Sequence, residues 1–153
     1  MQTLRRRSSL DDVTVVPSAG RPVLLATLDV PFSQEAMEFA VDSAVESGQP
    51  LLLVNAAEVL LTTYTLLGYG YIEREELQDE LRKPAELAHS LAVRVERLRV
   101  CSPHPVDALI ELVAERDPGV LVFGPDRRHL SSRRFRKAER AVRERTSCLV
   151  WVP

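Results

Sequence analysis

Five short apolar runs punctuate the chain, and between them apolar positions recur at helical spacing. The runs are Val23 to Val30, interrupted near its end by Asp29, then Leu51-Leu52-Leu53-Val54, Leu98 to Cys101, Val120-Leu121-Val122-Phe123 and Cys148 to Val152. Strands apolar at successive positions are buried on both faces, as in parallel sheets. After Ser33, a good N-cap, Met37, Ala40, Val41, Ala44 and Val45 mark a helix that Gly48 ends. Glu73 to Arg97 reads as one long helix, with Pro84 expected to kink or split it. Pro105 opens another, with Ala108, Leu109, Leu112 and Val113 on its buried face and Asp117-Pro118-Gly119 as its stop. Ser131 or Ser132 caps a last helix running to about Arg145.

Strict alternation of strands and helical crossovers predicts an α/β fold, a doubly wound parallel sheet with helices on both faces. Such sheets hold ligands outside the carboxyl ends of their strands, where the winding reverses. The tips of interest are therefore Asp29 to Ser33, Asn55 to Glu58, Ser102 to His104 and Gly124 to Ser132. Residues 1–20 lack an apolar period and read as a disordered tail before a domain spanning 21–153. Within the tail, Ser8 and Ser9 follow three arginines, in the manner of a basophilic kinase site. A long segment from Glu58 to Tyr71 carries Tyr64, Tyr69 and Tyr71, placed to cover a ligand or to pin the loop to the sheet.

A length of 153 residues fits one such domain, which needs no disulfide or metal to hold it. Cys101 and Cys148 fall in strand-like runs without metal-ligand spacing and are expected as reduced, buried thiols. No apolar run reaches the roughly 18 residues of a membrane span, and no export signal is recognisable, so a cytoplasmic protein is expected.

Charge changes this picture. The net charge is only −2, yet residues 126–145 hold nine Lys/Arg against three Asp/Glu, a local +6. Two readings stand. One is a solvated basic helix face, with Glu139–Arg143 and Arg140–Glu144 as i,i+4 pairs. The other is anion binding through the guanidinium forks of Arg127, Arg128 and Arg133. Nucleic-acid binding is disfavoured, because only Phe135 interleaves with the arginines and it belongs to the buried face. His89, His104 and His129 lie far apart, and neither a metal motif nor a nucleophile motif accompanies them, so no enzyme is expected.

In order and spacing the elements resemble the universal stress protein family. The likeness rests on Leu28-Asp29 closing the first strand, on the helix Pro105-Val106-Asp107-Ala108-Leu109-Ile110, on Val120-Leu121-Val122-Phe123-Gly124 and on the ending Thr146-Ser147-Cys148-Leu149-Val150-Trp151-Val152. The resemblance implies a three-layer sheet of five strands in the order 3-2-1-4-5, and a homodimer joined through the C-terminal strand at an edge where Trp151 is exposed for pairing, the alternative being a Trp packed under a helix. It also implies an ATP site at Asp29, Gly124, Arg127, Arg128, Ser131 and Ser132. The family's ATP-binding signature is Gly, two residues, Gly, nine residues, then Gly and Ser or Thr. Gly124 matches the first position. Arg127 occupies the second, Lys137 or Arg136 the third, and Ala138 or Lys137 the fourth. Such glycines let backbone N–H groups approach phosphate oxygens, which arginine does not permit in the same way. The expectation is thus a regulatory or interaction protein that engages an unknown protein partner and holds no ATP in the usual way. The alternative is an adenine-nucleotide or anion module built on those arginines. Asp29 has three competing assignments, near a ligand, capping the first helix, or bridged to Arg127 or Arg128, and the loop arginines have Asp126 as a further candidate partner.

Overall fold

The computed structural model describes residues 20–60 and 73–153. The expected tail except Gly20, with Ser8 and Ser9, and the three tyrosines all lie outside the described residues. Among the described residues ten elements follow in chain order: β1 (Val23–Thr27), α1 (Gln34–Ser47), β2 (Leu51–Glu58), α2 (Glu75–Ser90), β3 (Val95–Ser102), α3 (Pro105–Arg116), β4 (Val120–Phe123), a single 3-10 turn (Arg127–His129), α4 (Ser132–Arg145) and β5 (Leu149–Trp151). All strands are parallel and lie in the order β3-β2-β1-β4-β5.

The strand residues sort between two cores by the two-residue period of extended chain. Leu24, Ala26, Leu52, Val54, Leu121 and Phe123 face α3 and α4, meeting Leu109, Val113, Phe135, Ala138 and Val142. Val23, Leu25, Leu51, Leu53 and Val122 face the other way, onto Ala36, Ala40, Val41 and Ala44 of α1 and Ala85 and Ala88 of α2. The three expected layers are therefore present. Fully burying one Leu or Phe side chain contributes about 1.5–3 kcal/mol, and Leu24, Leu25, Leu51, Leu121 and Phe123 are all sealed from solvent. No helix of the described residues is long and apolar enough to cross a membrane.

Several expectations need correction. The first strand ends at Thr27, not Val30. The Thr27 hydroxyl donates to the Val30 carbonyl at 2.7 Å, which curls the chain at once, and Asp29 sits in this turn at φ 61°. The second strand runs on to Glu58. The long helix stops at Ser90, not Arg97. Leu91 and Ala92 donate back to Ala88 and His89, Ala92 takes φ 62°, and the chain then becomes β3. β3 is an edge strand with one wet side, so Glu96, Arg97 and Arg99 are exposed and its sequence lacks the apolar run of a central strand. Pro84 does not split α2 and is buried within it. Cys101 is exposed rather than buried, while Cys148 is half-buried, and both are unbridged at opposite edges of the sheet. Trp151 is not an exposed edge residue. It stacks on Phe39 of α1, with ring centroids 3.9 Å apart and planes 7° from parallel.

Candidate functional site

The winding reverses between β1 and β4, so the turns after these two strands should flank a crevice. Here the turns are joined. The Ser33 N–H donates to the Gly124 carbonyl at 2.9 Å, and the Asp126 N–H donates to the Pro31 carbonyl at 2.8 Å. Phe32 and Pro125 face one another as an antiparallel bridge. The Ser33 hydroxyl meanwhile caps α1 by accepting from the Ala36 N–H. Gly124 is confined by packing. Its φ lies outside the left-handed region, but a Cβ there would collide with the Cβ of Ala36 and lie 3.2 Å from Leu25 Cδ1.

The loop that follows is ordered by Asp126. Its buried carboxylate accepts from the Arg128 N–H at 3.0 Å and from the Arg128 guanidinium through Nε at 3.1 Å and Nη2 at 2.8 Å. The guanidinium bonds hold the Asp126 pKa below the ordinary carboxylate value against the opposing effect of burial, and they push Arg128 up. The Arg127 guanidinium carbon lies over the Phe135 ring, 4.0 Å from its centroid. Ser131 is the N-cap of α4, accepting from the Arg134 N–H at 3.2 Å, and Ser132 is the first residue of that helix. Of the two i,i+4 pairs expected along α4, Glu139–Arg143 forms at 3.1 Å. Arg140–Glu144 does not, among the described residues.

Asp29 belongs to a second network. Its N–H donates to Asn55 Oδ1 at 2.7 Å. The Asn55 amide donates to Glu73 Oε2 at 2.8 Å and, at 3.4 Å, to Asp29 Oδ1. Arg99 Nη1 lies 3.9 Å from Glu73. This relay runs from the turn after β1 to Asn55 within β2 and Arg99 within β3, and meets at Glu73 just before α2. The sequence suggested a strand tip at Asn55, but Asn55 lies inside β2, three residues before its end, and its part in the relay was not legible. The signal available is a lone amide inside the otherwise apolar run of β2.

An open cleft of about 380 Å³ lies beside the closed crevice, on the α3/α4 side. Leu28, Val106, Ala138 and Ala141 give it apolar walls, and Glu58, His104, Asp107, Arg134, Lys137 and Arg145 surround them. Arg145 is tied to Asp107 at 2.6 Å, and that bond lowers the Asp107 pKa. Arg134 and Lys137 have no acidic partner among the described residues. Two of the strand tips that the sequence marks, at Glu58 and at Pro103 and His104, meet here beside Leu28. Nothing in the sequence signals that Arg134, Lys137, Ala138 and Ala141, one stripe of α4, close the other side. Asp29, Gly124, Arg127, Arg128, Ser131 and Ser132 do not line this cleft. Arg127 and Arg128 border instead a hollow of about 300 Å³ with Glu35, Asp126 and Phe135. Among the described residues, no group of three or more His, Cys, Asp or Glu side chains could hold a metal ion.

Comparison with known proteins gives a consistent picture. The model of the universal stress protein family matches residues 20–152. No curated protein matches the sequence. Among solved structures, a universal stress protein in complex with cAMP is similar at 24% identity and a TM-score of 0.59, covering 89% of this chain and 98% of that one. A universal stress protein from Archaeoglobus fulgidus in complex with dAMP is similar at 18% identity and 0.56, covering 86% and 96%. The universal stress protein UspA from Lactobacillus plantarum is similar at 16% identity and 0.62, covering 88% and 99%.

Proposed function

We propose, for a chain that belongs to the universal stress protein family, a non-enzymatic regulatory or interaction role in the cytoplasm, in which ATP is not held by the loop after β4. One observation carries this reading. From Gly124 to Leu130 six residues have a backbone N–H, and five of them (Gly124, Asp126, Arg128, His129 and Leu130) already donate to oxygens of the protein. A phosphate cradle needs such groups directed at the ligand. The side chains are committed as well, Arg128 to Asp126 and Arg127 to the Phe135 ring. Placement in the cytoplasm is supported by two unbridged cysteines. Isothermal titration calorimetry with ATP tests the reading. The expected result is no saturable heat in the micromolar range. Micromolar ATP binding that Arg127→Gly alters would overturn it.

The cleft beside the loop favours a second reading, a site for a smaller adenine nucleotide. It pairs apolar walls with Arg134 and Lys137, whose charges no described carboxylate neutralises. Two similar structures contain cAMP and dAMP. Saturable binding of AMP or cAMP, weakened at least about tenfold by Lys137→Ala while ATP stays silent, would establish it. We also place a homodimer contact at β5, an edge strand on which Leu149 is 70% exposed. Light scattering should then show a dimer that Leu149→Gln dissociates, and a mass unchanged by that substitution would remove the assignment.

A further inference from the structure

Charge is sorted by layer. α1 and α2, on one face of the sheet, carry nine carboxylates and two cations. α3 and α4, on the other, carry eight cations and five carboxylates. The sorting is sharpest on α1 and α4. α1 has no basic residue, and Glu35, Glu38, Asp42 and Glu46 form a single stripe directly opposite its buried face. On α4 the stripe opposite the buried face is Arg133, Arg136, Lys137 and Arg140.

Apart from Lys137 and Glu35, which border the cleft and the hollow, these charges serve no site described above. Among the described residues, none of the four cations has an anionic partner, and none of the four carboxylates has a cationic one. Glu38 accepts only from the neutral Gln34 amide. Like charges at i,i+3 and i,i+4 repel along each helix. Arg133 lies in the first turn of α4, where the helix dipole disfavours a cation, and Glu46 in the last turn of α1, where it disfavours an anion. The sheet separates the two stripes, so one molecule cannot bring its own together. Another copy can. The acidic stripe runs about 16 Å and the basic one about 10 Å along their helix axes, with four charges on each.

We propose that the outer face of α4 docks on the outer face of α1 in a second copy of this chain, a head-to-tail contact driven by opposite charge. The two surfaces differ and lie on opposite sides of the molecule, so every added copy presents a fresh face and association continues beyond a pair. This is separate from the edge contact at β5, which involves neither stripe.

The test uses sedimentation velocity on the full chain carrying Leu149→Gln, so that edge pairing does not contribute. Screening lengths fall severalfold between about 20 mM and about 500 mM salt. The average mass should rise with protein concentration at the lower salt, beyond a dimer, and the association constant should drop at least about tenfold at the higher salt. Reversing one stripe, by Arg133→Glu, Arg136→Glu and Arg140→Glu or by Glu35→Lys, Asp42→Lys and Glu46→Lys, should abolish association. Reversing both in the same chain keeps the net charge and should restore it, which separates loss of the contact from loss of the fold. A monomer of constant mass at low salt overturns the proposal, as does failure of the double reversal to recover. Binding of a DNA duplex or anionic vesicles to the basic stripe, with no self-association, overturns it in favour of a polyanionic partner.

Discussion

Gly124 is the one signature glycine that this chain retains, and its packing says why it can be no other residue. In Gly124→Ala the new methyl collides with the Cβ of Ala36 and crowds Leu25 Cδ1 at 3.2 Å. Neither the Ala36 methyl nor the backbone beneath it can rotate away, because Ala36 is sealed in the first turn of α1. Overpacking of this kind costs about 1–3 kcal/mol, and a contact between two Cβ atoms belongs at the upper end. The stiffer unfolded chain of the alanine variant returns about 0.4–1 kcal/mol. The net expectation is a loss of about 2 kcal/mol, or about 4–8 °C in Tm for a domain of this size. Urea titrations with an unchanged slope would read it. Ala36→Gly alone should cost about 1 kcal/mol through helix propensity. Combined with Gly124→Ala it removes the collision, so the double variant should be more stable than the sum of the singles by at least about 1 kcal/mol. A Gly124→Ala variant within about 0.5 kcal/mol of the parent, with an additive cycle, would refute the steric account and return Gly124 to a purely ligand-related role.

Three further outcomes follow from other sites. Asp126 has a lowered folded-state pKa, so its contribution is present above the ordinary carboxylate range and fades as pH falls through that range and below it. Asp126→Asn should therefore cost about 1 kcal/mol at neutral pH, kept small by the exposed Arg128, with the difference from the parent shrinking in acid. A cost independent of pH would show that the ion pair is not its source. The chain has a single tryptophan, so emission reports on the Phe39 stack alone, and Phe39→Ala should shift it to longer wavelength and cost about 3 kcal/mol. An unshifted spectrum would mean that the stack is absent in solution. With a thiol reagent such as DTNB, exposed Cys101 should react in a fast phase, and Cys148, whose pKa burial pushes up, in a slow one. A single phase of two equivalents would contradict that exposure.

The central strands were legible because they are buried on both faces, and a Leu51-Leu52-Leu53-Val54 run admits few other fates. β3 was misread because an edge strand needs apolar residues on one side only, and Glu96, Arg97 and Arg99 continue the composition of the helix before it. The loop after β4 shows the limit most sharply. The arginines were visible, and so was the mismatch with a glycine signature. Asp126 stood among their possible partners, but that it takes Arg128 while Arg127 turns to the Phe135 ring was not legible, since it depends on the burial of Asp126 and the placing of Phe135. Likewise Asn55 and Glu73 are 18 residues apart in the chain and meet only when the sheet brings β2 under the start of α2. Short-range pattern reveals which residues are buried. It does not reveal which buried polar groups find each other.

The strand order also has a history in time. β1 lies between β2 and β4, so its first partner follows it closely while its second arrives only at Val120. During synthesis β1, α1 and β2 can assemble early, but one flank of β1, five fully buried residues in the finished fold, stays open until the ribosome has delivered the second half of the domain. An uncovered apolar strand edge is a template for pairing with other chains. The most vulnerable moment for this protein is therefore translational, and truncation just before Val120 should yield an aggregating fragment rather than a smaller domain.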